Sequence, residues 1–252
     1  MISFERLGYF GRLGNQMFQY ASLIGFATHS NQPWGIPERN SKDTEIGGLG
    51  YKEKFVLDEL FDLQYEKIIS PTRRFMENGQ LVKLPEDTDI NGYFQSSNYF
   101  SHCEDEIRKQ FTCRKEIQDR SNEYDDMSDK VSVHVRRGDY ANLTDFHPLL
   151  GKEYYENAMS KFDGGKFIFM SDDIEWCKNT FGPEHSYAET NNMFVDFCLM
   201  TRCKGHIIAN SSFSWWGAWL GKGKTVAPKK WFGPKLDYRN DGSIYEKEWT
   251  LC

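Results

Sequence analysis

A chain of 252 residues with a formal net charge of -6 is poorly matched to a polyanion surface, because nucleic-acid binders carry a net basic domain or a long basic stripe. Its 39% hydrophobic and 27% charged residues are the composition of an ordinary globular protein, long enough for one large domain or two smaller ones. Aromatic residues reach 15%, which suits clefts where rings pack on sugar C-H groups and equally suits large aromatic cores.

The N-terminus, M-I-S-F-E-R-L-G-Y-F, has no basic segment followed by an apolar run, and no apolar stretch of roughly 18 residues follows anywhere. The chain is therefore expected in the cytosol with no transmembrane segment, at most peripheral at the inner face of a membrane. Cys103, Cys113, Cys177, Cys198, Cys203 and Cys252 form no C-x-x-C pair and read as thiols in a reducing compartment, with no metal site.

Residues Ile2 to Phe10 read as a first strand, and Gly11-Arg12-Leu13-Gly14-Asn15-Gln16 as a glycine-punctuated turn into a helix. Leu13, Met17, Ala21 and Ile24 give that helix an apolar stripe. Strand, glycine loop and helix open a Rossmann-like unit, but the loop lacks the G-x-G-x-x-G dinucleotide fingerprint. Asn15 and Gln16 bring two amides to the helix start, where free backbone N-H groups also point; Asn15 reads equally well as a plain cap. Prolines and glycines from Asn31 to Gly50 mark a long loop. Ile90 to Ser96 reads as a short strand and turn, and Tyr99 to Phe111 as a helix with Phe100, Ile107 and Phe111 inward. The polar run Arg114 to Lys130 has few core candidates and places the domain boundary near its end, giving lobes of 1-128 and 129-252.

Val131 to Val135 alternates as a half-buried strand, with Val131, Val133 and Val135 on one face and Ser132 and His134 on the other. Helices follow over Glu153 to Phe162, Ile174 to Phe181, from an Asn191 cap to Cys203, and over Phe213 to Leu220. Between them lie strands at Lys166 to Met170, Gly205 to Ala209 and Thr225 to Ala227. Single helices between strands require right-handed crossovers in a parallel sheet, so the second half is α/β.

In such a sheet ligands lie beyond the carboxyl ends of the strands. Those ends carry His134, Arg136, Arg137 and Asp139; then Ser171, Asp172 and Asp173; then Asn210, Ser211, Ser212 and Phe213. Two arginines and a Ser-Ser at a helix start can hold a diphosphate between charge-assisted bonds and helix-end N-H groups. Asp172 or Asp173 can accept the paired N-H donors of guanine, or cap the helix at Ile174, or resemble an acidic pair that holds Mg²⁺. Ser214 to Trp219 reads as core packing.

Five segments, G-R-L-G-N-Q-M-F-Q-Y-A, N-G-Y-F-Q-S, H-V-R-R-G-D-Y, M-S-D-D and N-S-S-F-S-W-W-G-A-W-L, occur in that order between about Gly11 and Pro228. Together they closely resemble the bacterial-type α-1,2-fucosyltransferases of glycosyltransferase family 11. The resemblance implies a GT-B-like α/β fold, with two Rossmann-like lobes of mostly parallel sheets and a cleft between them. It further implies GDP-fucose as donor, a galactose-terminated oligosaccharide or glycolipid precursor as acceptor, inversion at the anomeric carbon, and no metal or other cofactor. Arg136 matches the family's phosphate-binding arginine, flanked by His134 and Arg137, and Gly14 and Asn15 match its N-terminal motif. Catalysis is thereby assigned to Arg136, Asp139 and Asn15, and donor binding to Gly14, His134, Arg137, Asp172, Asp173, Asn210, Ser211, Ser212 and Phe213. Asp139, Asp145 and His147 are the candidates for removing the acceptor proton, with Asp139 read first as orienting Arg136 or Arg137. An α-1,6 or other linkage and a non-catalytic nucleotide- or sugar-binding module are the alternatives.

Overall fold

The computed structural model describes residues 1-36, 55-67 and 71-252. The chain divides into two compact units, Met1–Arg114 and Lys115–Cys252.

In the first unit, strand β1 (Ile2–Ser3) is followed by helix α1 (Leu13–Ser30), β2 (Trp34–Ile36), the short α2 (Leu57–Leu60), β3 (Glu66–Lys67), β4 (Arg73–Met76), β5 (Thr88–Asn91) and α3 (Glu104–Gln110). The five strands run parallel in the order β3-β2-β1-β5-β4. The strand expected over Ile2 to Phe10 stops at Ser3 because the chain turns from Phe4 on, with Leu7 N-H donating to Phe4 O at 3.2 Å and Tyr9 N-H to Arg6 O at 3.0 Å, and Gly8 and Gly11 then take φ 82 and 86, a left-handed conformation that no extended ladder contains. Helix α1 buries more than its apolar stripe, since Gln16 and Gln19 are buried too. Their amides donate to Gly11 O (3.0 Å) and Phe10 O (3.1 Å), and Gln16 Oε1 accepts Val56 N-H (3.0 Å), so the buried amides satisfy a turn that has no ladder of its own. Strand β2 lies inside the stretch expected as loop; the remainder of that stretch, from residue 37 on, lies outside the described residues. The helix expected from Tyr99 to Phe111 is two 3₁₀ turns, Ser97–Tyr99 and Ser101–Cys103, followed by α3, with Phe100, Ile107 and Phe111 buried as expected.

The second unit begins with α4 (Lys115–Asn122), then β6 (Lys130–Val135), α5 (Lys152–Met159), β7 (Lys166–Ser171), α6 (Ile174–Phe181), β8 (Ser186–Tyr187), α7 (Met193–Thr201), β9 (Gly205–Ile207), α8 (Ser212–Gly221), β10 (Lys224–Ala227) and β11 (Thr250–Leu251). The boundary falls before α4 and not at residue 128, because α4 packs on α7. Arg202 Nη1 donates to Ser121 O at 2.6 Å, and Ile117 and Ser121 turn inward from an otherwise polar run. The cap of α7 is Asn192, one residue later than expected, its Oδ1 accepting from the N-H groups of Phe194 and Val195.

All six strands of this unit are parallel, in the order β11-β10-β9-β6-β7-β8. Strand β6 is buried at every position and not on one face alone. Val131, Val133 and Val135 pack with Tyr155, Ala158, Cys177 and Phe181. On the other side Ser132 Oγ meets His206 Nδ1 at 2.9 Å, and His134 stacks on Phe213 at 5.3 Å. A parallel sheet is covered on both faces by its crossover helices, which is why alternation understated the burial. From β6 the chain winds outward through β7 and β8, then returns to the other side of β6 as β9 and winds outward again. That reversal is a topological switch point, where the loops leaving β6 and β9 separate and open a crevice. Among the described residues no helix is long and apolar enough to cross a membrane.

Candidate functional site

The carboxyl end of β6 delivers Arg136 into a clasp of two carboxylates. Arg136 Nη2 lies 2.5 Å from Asp139 Oδ1 and Nη1 lies 2.9 Å from Asp172 Oδ2. A guanidinium has five N-H donors, so the clasp fixes its plane and leaves further donors for a ligand. The side chain is only 20% exposed, and its Cζ stands 5.4 Å from the centre of the Tyr140 ring. Gly138 gives the turn room: a Cβ there would sit 2.5 Å from Asp172 Oδ2.

Asp172 and Asp173 come from the β7-α6 turn and are both engaged within the protein. Asp172 Oδ1 accepts the Arg137 backbone N-H (2.9 Å) while Oδ2 holds Arg136. Asp173 Oδ1 accepts Trp176 N-H (3.2 Å) and so caps α6, while Oδ2 meets Arg137 Nε at 3.2 Å. Of the roles open to this pair, arginine holding and helix capping are the ones its contacts display. Three carboxylates against two guanidiniums give the cluster a formal charge of -1. Attraction for a diphosphate must then come from directed N-H groups and not from net charge.

Such groups lie across the switch point at the start of α8. Its N-cap, Ser211, makes no side-chain cap hydrogen bond, which leaves the first-turn N-H groups of a ten-residue helix without a side-chain acceptor. His134 stacks on Phe213 in that first turn. Burial, reinforced by the Arg136 charge, pushes the His134 imidazole down to about 3, so it is neutral at physiological pH. Its Nδ1 is buried with no partner, as is Asn210 Oδ1. Orphaned buried polar atoms are costly, and these two leave a nitrogen and an oxygen at the strand ends for a ligand; others, Ser3 Oγ and Ser22 Oγ among them, lie in the first unit. Asn210 otherwise acts as a staple: its side-chain amide donates to Pro148 O and Trp231 O, both at 3.1 Å, and its backbone carbonyl accepts from Tyr140 Oη at 3.0 Å. Tyr140 in turn lies flat against His147, with ring centres 4.5 Å apart and planes within 11°. His147 is also lowered by burial, against the opposing pull of Asp139. Asp145 pairs with Lys235 at 3.0 Å and is 62% exposed.

The first unit has a switch point of its own between β1 and β5, and Asn15 and Gly14 lie there in the first turns of α1. The N-cap of α1 is Arg12, so Asn15 does not cap it. Asn15 Oδ1 instead accepts from Gln95 Nε2 at 2.8 Å, which joins two of the sequence segments, G-x-x-G-N-Q and N-G-Y-F-Q-S. The Asn15 side chain fills the space that a Cβ on Gly11 would need.

Residues 7-252 match the model of glycosyl transferase family 11. The chain belongs to that family. Among its relatives is an alpha-1,2-colitosyltransferase of Escherichia coli, 32% identical across 88% of this chain and 90% of its own length. A galactoside 2-alpha-L-fucosyltransferase, SEC1 of Bos taurus, is 27% identical across 86% of this chain and 64% of its own length. The crystal structure of the fucosyltransferase NodZ from Bradyrhizobium superposes with a TM-score of 0.58 at 15% identity, covering 87% of this chain and 92% of NodZ. The fold of this family 11 glycosyltransferase is thereby GT-B-like, an α/β architecture of two units with mostly parallel sheets.

Of the residues singled out in the sequence, His134, Arg136, Arg137, Asp139, Asp172, Asp173, Asn210, Ser211, Ser212 and Phe213 all lie at the β6, β7 and β9 ends of the second unit. Two contributors were not foreseen. Tyr140 joins Arg136 to His147 and Asn210, and the only signal for it was its place directly after Asp139. Trp176 lies 4.0 Å from the Arg137 guanidinium, and an aromatic three residues after a capping aspartate carries no sequence signal of a site.

Proposed function

We propose that this glycosyltransferase moves L-fucose from GDP-fucose to the 2-hydroxyl of a terminal galactoside with inversion. The observation that carries the reading is the Arg136 fork, held by Asp139 and Asp172 at the switch point with donors to spare, beside the uncapped start of α8. Breaking the sugar-phosphate bond leaves a diphosphate with added negative charge. Rigid N-H donors aimed at that charge stabilise the transition state more than the ground state. In the same step the acceptor oxygen bonds to the anomeric carbon, the leaving diphosphate takes the bonding pair, and the acceptor proton passes to an imidazole nitrogen of His147. Asp139 and Asp145 are each tied to a cation, which favours the neutral His147 ring as proton acceptor. The relatives support α-1,2 chemistry on a galactoside, since a galactoside 2-alpha-L-fucosyltransferase and an alpha-1,2-colitosyltransferase both align along most of this chain. No metal takes part in this reading, because Asp172 and Asp173 are spent on Arg136, Arg137 and the α6 cap.

The colitosyltransferase relative favours one further reading, a donor carrying colitose, the 3-deoxy counterpart of fucose. The test measures GDP release from GDP-fucose and GDP-colitose with lactose, lacto-N-biose and N-acetyllactosamine, in excess EDTA, followed by linkage analysis of the product. Preferred use of GDP-fucose with a new α-1,2 bond, undiminished by EDTA, is the expected result. Preference for GDP-colitose establishes the second reading, and GDP release that requires a divalent metal sinks the metal-free mechanism.

A further inference from the structure

The two arginines leave β6 in different directions, as consecutive residues of an extended chain do. Arg136 stands over Tyr140, whereas Arg137 stands over Trp176, its Cζ 4.0 Å from the ring centre. A separation of 4.0 Å is well inside the roughly 6 Å reach of a cation-π contact. At its edge Arg137 Nε meets Asp173 Oδ2 at 3.2 Å. Its guanidinium is thus held by an indole at its face and a carboxylate at its edge, with the side chain 21% exposed. Trp176 is itself anchored, packed edge-on against Phe181 at 5.7 Å on the core shared by β6 and β7.

Arg137 is also joined to Arg136 through one carboxylate. Its backbone N-H donates to Asp172 Oδ1 at 2.9 Å, while Asp172 Oδ2 holds Arg136 Nη1 at 2.9 Å. The contacts therefore run from Trp176 through Arg137 and Asp172 to Arg136, and every link lies within this unit. We propose that Trp176 and Arg137 are positioning residues: the clamp on Arg137 fixes the turn after β6 and, through Asp172, sets the direction of the Arg136 fork without touching the donor. This assigns the second arginine away from the diphosphate. The inference rests on the donor chemistry proposed above.

A double-mutant cycle tests it, with kcat, the donor and acceptor KM values, GDP affinity by calorimetry, and melting temperature measured for Trp176→Leu, Trp176→Phe, Arg137→Met and the Trp176→Leu/Arg137→Met pair. A cation-π contact of this kind accounts for about a three- to thirtyfold effect, which is expected in kcat for Trp176→Leu with the acceptor KM unchanged. Trp176→Phe keeps a ring face and should recover most of the loss. The double variant should be no worse than the poorer single variant, because both remove the same link. GDP affinity should change less than kcat in every variant. Additive losses overturn the proposal, as does a large fall in GDP affinity confined to Arg137→Met, which would mark a direct donor contact. If Trp176→Leu melts well below the wild type, Trp176→Met replaces it in the cycle. Wild-type protein that binds neither GDP nor GDP-fucose overturns the proposed donor chemistry and this inference together; wild-type binding with additive variants overturns this inference alone.

Discussion

Gly138→Ala places a single methyl group against the clasp on Arg136. The new Cβ would lie 2.5 Å from Asp172 Oδ2, below the 3.0 Å that real Cβ contacts essentially never undercut, so the carboxylate has to move by half an ångström or more. It starts 2.9 Å from Arg136 Nη1, and its other oxygen is pinned by the Arg137 N-H, so it cannot retreat freely. Losing a hydrogen bond to a charged group costs about 1.5 to 3 kcal/mol, and partial exposure of this pair argues for the lower end. If that loss falls on the orientation of the fork, kcat/KM drops by about ten- to thirtyfold, since each 1.4 kcal/mol is about tenfold. Initial rates of GDP release under donor saturation and under donor limitation measure it, with the melting temperature as a control. In an Asp172→Ala background the same glycine change should add little, because the carboxylate it displaces is already gone. Wild-type kcat/KM in Gly138→Ala, or an equal loss with and without Asp172, would refute the geometry.

Arg136→Lys keeps the charge but replaces a fork that spans Asp139 and Asp172 with one ammonium, so turnover should fall about a hundred- to a thousandfold; near-normal turnover removes Arg136 from transition-state stabilisation. His147→Phe preserves the face-to-face stack on Tyr140 while deleting the proton acceptor, and kcat should drop about a hundredfold or more. With His147 lowered by burial, the acid limb of the wild-type kcat profile should lie below about pH 6.5 and vanish in that variant. Stability should also fall in acid: the buried imidazoles of His134 and His206 are pushed down to about 3 and about 4, against 6.5 unfolded. Their contribution is complete above the unfolded value and is lost as pH falls, each by about 1.4 kcal/mol per pH unit down to its folded value. A urea midpoint unchanged between pH 7 and pH 5 contradicts this.

The local sequence carried most of the second unit because its signals are short-range. Alternation located β6 and short apolar runs located β7 and β9; helix periodicity located α5 and α7, and Ser211-Ser212 marked the start of α8; and the parallel connection followed from single helices between strands. Less of the first unit was legible. Its strands are two to four residues long, too short for any period, and β3, β4 and the late edge strands β8 and β11 exist only because a neighbouring strand supplies their hydrogen bonds. The helix α4 was missed for a related reason, since two inward residues in a charged run become a core face only when α7 lies against them.

At the site, the order of residues along the chain settles which chemical groups arrive together: an Arg-Arg-Gly-Asp at one strand end, Asp-Asp at the next, and Asn-Ser-Ser-Phe at the third. Their order along the chain fixes the strands they terminate, and a parallel sheet puts all those ends on one edge. What tertiary structure decided is which of these groups face a ligand and which hold one another. Asp172 and Asp173 are indistinguishable from base readers in sequence, yet in space they grip Arg136 and Arg137. Arg136 and Arg137 are neighbours in the chain, yet one leans on Tyr140 and the other on Trp176. Residue type sets what a side chain can donate or accept; only the packing of residues distant in sequence sets the partner that satisfies it.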